Sequence, residues 1–89
     1  MKDFGKRLKE LREERDLTMD MLVRDLNDQF EITIHKSNLS RWEKGTVDPT
    51  LQYAVYIAKY FNVSLDYMIG LTDNKAPARL IAYSKGLNK

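Results

Sequence analysis

Between His35 and Gly45, the apolar residues Leu39 and Trp42 lie three positions apart among Lys36, Ser37, Asn38, Ser40, Arg41 and Lys44. On a helix that spacing turns Leu39 and Trp42 to one side, and the polar residues point outward. Glu43 is the one acid of the stretch. A face of this kind suits the major groove of DNA, which is about 12 Å wide. Arg and Lys donate to guanine O6 and N7, Asn pairs with adenine, and Ser reaches a base or a phosphate. The same composition also suits a helix face that is simply solvated.

The elements that would hold this face can be followed along the chain. Phe4, Leu8 and Leu11 recur at helical spacing among Lys, Arg and Glu, which predicts an amphipathic first helix over about Asp3 to Arg15. Thr18 is a plausible N-cap for a second helix that turns Leu22, Val23 and Leu26 inward and reaches at least Leu26. From Phe30 to Ile34 apolar and polar residues alternate, predicting a short extended connector with one buried side. The third helix starts near His35 and stops at Gly45, a residue suited to a left-handed C-terminal turn. Asp48-Pro49-Thr50 opens a fourth helix with an inward stripe of Leu51, Ala54, Val55, Ala58 and Phe61, ended by Asn62. Ser64 caps a short fifth helix, Leu65 to Ile69, that stops at Gly70 and brings Leu65, Met68 and Ile69 back onto the core. The expectation is an all-α, five-helix domain over residues 1–71. A weakly ordered basic extension follows over 72–89, in which Leu80, Ile81 and Tyr83 suit a short helix.

The net charge of +2 is too small to identify a partner, but the charges are sorted by position. Residues 17–34 set Arg24 against Asp20, Asp25, Asp28 and Glu31, whereas residues 35–46 set Lys36, Arg41 and Lys44 against Glu43 alone. Lys75, Arg79, Lys85 and Lys89 form a second basic region in the extension, one suited to minor-groove or phosphate contacts. With 89 residues the chain has room for one core, and it has no cysteine for a disulfide or thiolate site. His35 is the lone histidine, so no metal is expected there; a helix start or a phosphate neighbour suits it better. The N-terminus runs directly into a charged helical pattern without signal peptide or membrane span, so a soluble cytoplasmic protein is expected. No nucleophile–base pair, phosphate-binding glycine loop or paired carboxylates in an apolar setting point to an enzyme, and no cofactor or small-molecule ligand is indicated.

Four stretches carry a family resemblance: Phe4-Gly5-Lys6-Arg7-Leu8-Lys9-Glu10-Leu11-Arg12, Leu39-Ser40-Arg41-Trp42-Glu43-Lys44-Gly45, Pro49-Thr50-Leu51, and Ala58 to Asp66. Over about Phe4 to Leu71 the chain resembles the Cro and phage-repressor type of helix-turn-helix domain, also called lambda-repressor-like or XRE-type. The resemblance implies that the second and third helices form a DNA-binding pair. The third would enter the major groove of double-stranded DNA, usually within a homodimer on a palindromic operator. It implies Lys36, Ser37 and Arg41 as base-reading residues, with Asn38 and Ser40 as secondary contacts. Thr18, Lys44 and Thr46 are implied as phosphate contacts, and Arg12 with Glu43 as an ion pair locking the first helix to the third. Because the family is rich in repressors, a repressor is the expected regulator. Tyr67 and Met68 are the candidate dimer surface.

Three departures fall inside the motif. Met19 stands where the family usually has Gln, and a thioether cannot donate a hydrogen bond to phosphate. Val23 replaces a small Ala, which predicts a wider crossing of the two helices. Asn27 to Thr33 supplies seven residues where the family uses one. Asp28 and Glu31 in that insert predict that it points away from DNA, with Phe30 and Ile32 or Ile34 closing over the core. A competing function keeps the fold as a protein-interaction module, in which Tyr53, Tyr56 and Tyr60, at i, i+3 and i+7, join Tyr67 in an aromatic partner surface. Packing residues would show the same spacing.

Overall fold

The computed structural model describes residues 1–77 of the chain. Over them it forms α1 (Phe4–Glu14), α2 (Met19–Phe30), α3 (Lys36–Lys44), α4 (Leu51–Phe61) and α5 (Leu65–Met68), with no strand among the described residues. The expected all-α, five-helix architecture is the one observed. Local chemistry explains most of the boundaries. Thr18, Thr50 and Ser64 each stand in extended conformation before a helix, and their hydroxyl oxygens accept from the backbone N–H three residues on, at 3.1, 3.2 and 2.9 Å. Each satisfies an N–H that the first helical turn leaves without a partner. Gly45 ends α3 at φ 75°, where a side chain would be strained, while Glu31 and Asn62 end α2 and α4 in the same left-handed region.

The core is built from one stripe per helix. Phe4, Leu8 and Leu11 of α1 meet Leu22 and Leu26 of α2, Leu39 and Trp42 of α3, and Ala54, Ile57, Ala58 and Phe61 of α4. Leu51, expected in the α4 stripe, instead lies at the first turn and is 65% exposed, and Ile57 takes the inward place. Tyr67 and Met68, expected as a dimer surface, belong to the core: Met68 is fully buried and Tyr67 nearly so. A side chain with no accessible surface has nothing to offer a second copy.

α2 runs four residues beyond Leu26, so Phe30 is helical, not part of an extended connector. Phe30 lies one turn after Leu26 on the same side of the helix, and its ring stacks on Tyr56 at 4.6 Å between centroids. The extended stretch is confined to residues 32–35, with Ile34 buried and Ile32 partly so. Most of the insert is therefore an extra turn of helix.

The segment after Gly70 is tied to the domain through Thr72, Asp73 and Lys75. Arg7 of α1 donates to the carbonyl oxygens of Tyr67 and Thr72 and to Asp73 Oδ1, and its guanidinium lies 4.1 Å from the centre of the Tyr67 ring. The N–H of Ser64 donates to the Lys75 carbonyl at 3.0 Å. The expected short helix around Leu80, Ile81 and Tyr83, and the basic residues Arg79, Lys85 and Lys89, lie outside the described residues. No helix among the described residues is long and apolar enough to cross a membrane.

Candidate nucleic-acid interface

α3 has two unlike sides. Leu39 and Trp42 are buried in the core, and Glu43 turns toward α1, where its side chain is only 3% exposed. Arg12 meets it with two parallel hydrogen bonds, Nε to Oε2 at 2.7 Å and Nη2 to Oε1 at 3.0 Å, and a third guanidinium nitrogen donates to the Leu17 carbonyl at 2.9 Å. Two-point pairing of this kind fixes orientation as well as distance. Hydrogen bonding to Glu43 raises the Arg12 pKa above its ordinary value, outweighing the opposing effect of burial. A second device holds the same helices: Gly5 packs so closely on the last turn of α3 that a Cβ there would collide with the carbonyl oxygens of Trp42 and Glu43. Its place in the resembling stretch was visible in the sequence, but the close approach was not.

Ser37, Arg41 and Lys44, at i, i+4 and i+7, line the exposed side opposite the core, and Lys36 is exposed at its first turn. Lys36 Nζ comes 3.9 Å from Asp20 Oδ1, but both side chains are well exposed, so the pair is a weak tether. Asn38 and Ser40 occupy the margins and are partly buried. Asn38 Oδ1 accepts from the His35 N–H at 2.8 Å, which makes Asn38 a cap of α3 and engages the oxygen that a two-point contact with adenine would use.

The expected phosphate contacts are exposed, but they differ in what they can donate. Thr18 uses only its oxygen in capping, so its hydroxyl hydrogen is free for an acceptor. Thr46 donates its hydroxyl to the Arg41 carbonyl at 3.3 Å, which leaves it little to give a phosphate. Met19 lies beside an open depression of about 300 Å³ that Lys9, Arg12, Ser40, Glu43 and Lys44 also line. Lys9 thus stands as an exposed cation near Lys44, at a position that its own helix, read alone, makes just another solvated charge.

The tyrosines of α4 have partners within the molecule. Tyr53 tilts against Trp42 at 6.0 Å, Tyr56 stacks on Phe30, and Tyr60 meets Phe61 edge-on at 4.9 Å. Tyr60 also donates its hydroxyl to Asp25 Oδ2 at 2.6 Å. Burial, then this bond to a carboxylate, pushes the Tyr60 pKa up to about 12.

A family model described as a helix-turn-helix domain matches residues 5–74. The chain is 36% identical over 74 residues to the uncharacterized HTH-type transcriptional regulator YobD of Bacillus subtilis (strain 168), an alignment covering 83% of this chain and 61% of the relative. It is 35% identical over 67 residues to the HTH-type transcriptional regulator ImmR of the same organism, covering 75% of this chain and 48% of that relative. The chain spans about half to three-fifths of the length of these relatives. No solved structure matches it. The matched range takes in the five helices of the described residues, save Phe4 at the start of α1, with the α2–α3 pair at their centre, and the chain belongs to the helix-turn-helix domain family.

Proposed function

We propose that the chain binds double-stranded DNA with sequence preference and acts as a transcriptional regulator of the Cro or XRE type. Its expected role is that of a cytoplasmic repressor, bound as a homodimer to a palindromic operator. The observation that carries the reading is the two-sidedness of α3. One side is bolted to the core by Leu39, Trp42 and the Arg12–Glu43 pair, and the other presents Ser37, Arg41 and Lys44 with no acid among them. A rigid helix with free donors on its exposed side is what base reading requires. Arg41, exposed and hydrogen-bonded only through its backbone among the described residues, is assigned the principal base contact, with Lys36 and Ser37 beside it. Thr18, Lys44 and Lys9 are assigned to phosphates. The names of YobD and ImmR as HTH-type transcriptional regulators support the same reading.

One selection of bound sequences from a random duplex pool tests the proposal. A palindromic consensus is expected, and Arg41→Ala is expected to weaken binding to it by about 1–3 kcal/mol while flattening preference at one base pair per half-site. Binding that falls steeply with salt but selects no sequence would reduce the role to phosphate contact alone.

A further inference from the structure

The connector between α2 and α3 hangs on one residue. The backbone carbonyl of Asn27 accepts from the N–H groups of Glu31 and Ile32, the latter at 3.3 Å, and so closes the C-terminal end of α2. Its side chain reaches forward to the peptide groups of Ile34: Oδ1 accepts from the Ile34 N–H at 2.8 Å, and Nδ2 donates to the Ile34 carbonyl at 3.0 Å. The next residue, His35, is the N-cap of α3, and Asn38 holds its N–H. One carboxamide therefore joins the end of α2 to the residue just before the N-cap of α3. The Ile34 side chain, buried at 4% exposure, anchors the same point in the core. Neither Asp nor Ser can replace this two-way grip, since one lacks a donor when ionised and the other carries a single oxygen.

We infer that Asn27 is a positioning residue for base recognition: its grip on Ile34 sets where α3 begins and hence where Lys36, Ser37 and Arg41 fall against a duplex. This rests on the DNA-reading proposal and deepens it. Because Asn27 is partly buried in the last turns of α2 and its side chain hydrogen-bonds to the Ile34 backbone and not to a candidate DNA contact, its loss blurs base discrimination and leaves phosphate attraction nearly intact. The insert then works as a rigid bracket, with Phe30 stacked on Tyr56 at its far corner.

The test compares the full chain with its Asn27→Ala, Asn27→Asp and Arg41→Ala variants, measuring affinity for the selected consensus and for a scrambled duplex at one salt concentration. Asn27→Ala is expected to lose about tenfold in the ratio of consensus to scrambled affinity, as a single disturbed base contact does, with scrambled binding changed by less than about twofold. Asn27→Asp, which keeps the size and the acceptor but not the donor, is expected to fall between wild type and Ala. Should Asn27→Ala lose helical signal by circular dichroism, Asn27→Asp decides. A selective wild type whose ratio survives both changes overturns the inference alone. A wild type that selects no sequence, and so shows no ratio to lose, overturns the DNA-reading proposal and the inference with it.

Discussion

On its α1 side, α3 rests on a desolvated charge pair and a glycine with no room for a methyl group; on its α2 side it rests on a neutral amide, and α2 in turn is held to α4 by an aromatic stack and a tyrosine hydroxyl. Arg12 and Glu43 are 12% and 3% exposed, so neither charge keeps much of its hydration and each depends on the other. Asn27, Phe30 and Tyr60, by contrast, are partly exposed and carry no charge of their own. The first support fails when one member is lost, because the other is left buried and charged. The second is spread over bonds that fail one at a time. The C-terminal half of α3 is thus held stiffly, and its N-terminal end is the place where small adjustments of angle can arise.

The largest expected effect breaks the α1 side. Glu43→Gln keeps the shape but leaves the Arg12 guanidinium buried without a counter-charge, and is expected to cost about 3 kcal/mol in urea unfolding. Replacing both partners, Arg12→Met with Glu43→Leu, is expected to lie closer to wild type than Glu43→Gln does, because no buried charge remains. If the single and double variants lost equal stability, the contrast between the two supports would not hold. Next comes Gly5→Ala. Backbone oxygens cannot rotate away as side chains can, so α1 must shift, at a cost of about 2 kcal/mol measured the same way.

The smallest effect sharpens the α2 side. Tyr60 ordinarily titrates near 10.0 and is pushed up to about 12 in the folded chain. Between those values the unfolded chain releases the phenolic proton and the folded chain keeps it, so stability present below pH 10 is lost as pH rises toward 12. Urea midpoints followed across that window should fall less steeply in Tyr60→Phe than in wild type. Equal slopes would mean that neither burial nor the hydroxyl bond to Asp25 raises the Tyr60 pKa in solution.

Much of the fold was legible because its signals are local. Thr18, Thr50 and Ser64 cap the helices that the sequence assigns to them, and Gly45, Asn62 and the stripe of Phe4, Leu8 and Leu11 behave as their types predict. The errors share a cause in contacts between distant segments. Phe30, Ile32 and Ile34 alternate as a strand would, yet the stack on Tyr56 draws Phe30 into α2. Tyr67 and Met68 lie in a short, largely apolar helix whose residues suit either the core or a partner surface, and the cation of Arg7 over Tyr67 and the burial of Met68 decide for the core. Asn38 carries a base-reading side chain by type, and its use as a cap depends on where His35 places its N–H.

Taken alone, the sequence determined the five helices of the described residues, where four of them stop or start, and that the exposed side of α3 is basic and rich in donors. Periodicity, caps and side-chain chemistry decide those points within a few residues of each other. Tertiary structure decided which polar groups near that side are already engaged among the described residues, because Asn38 Oδ1 accepts from the His35 N–H and the Thr46 hydroxyl donates to the Arg41 carbonyl, whereas the Ser37 and Arg41 side chains stay exposed without such a bond. It also decided how α3 is held, since Gly5, Arg12 and Asn27 act on residues that only folding brings within reach.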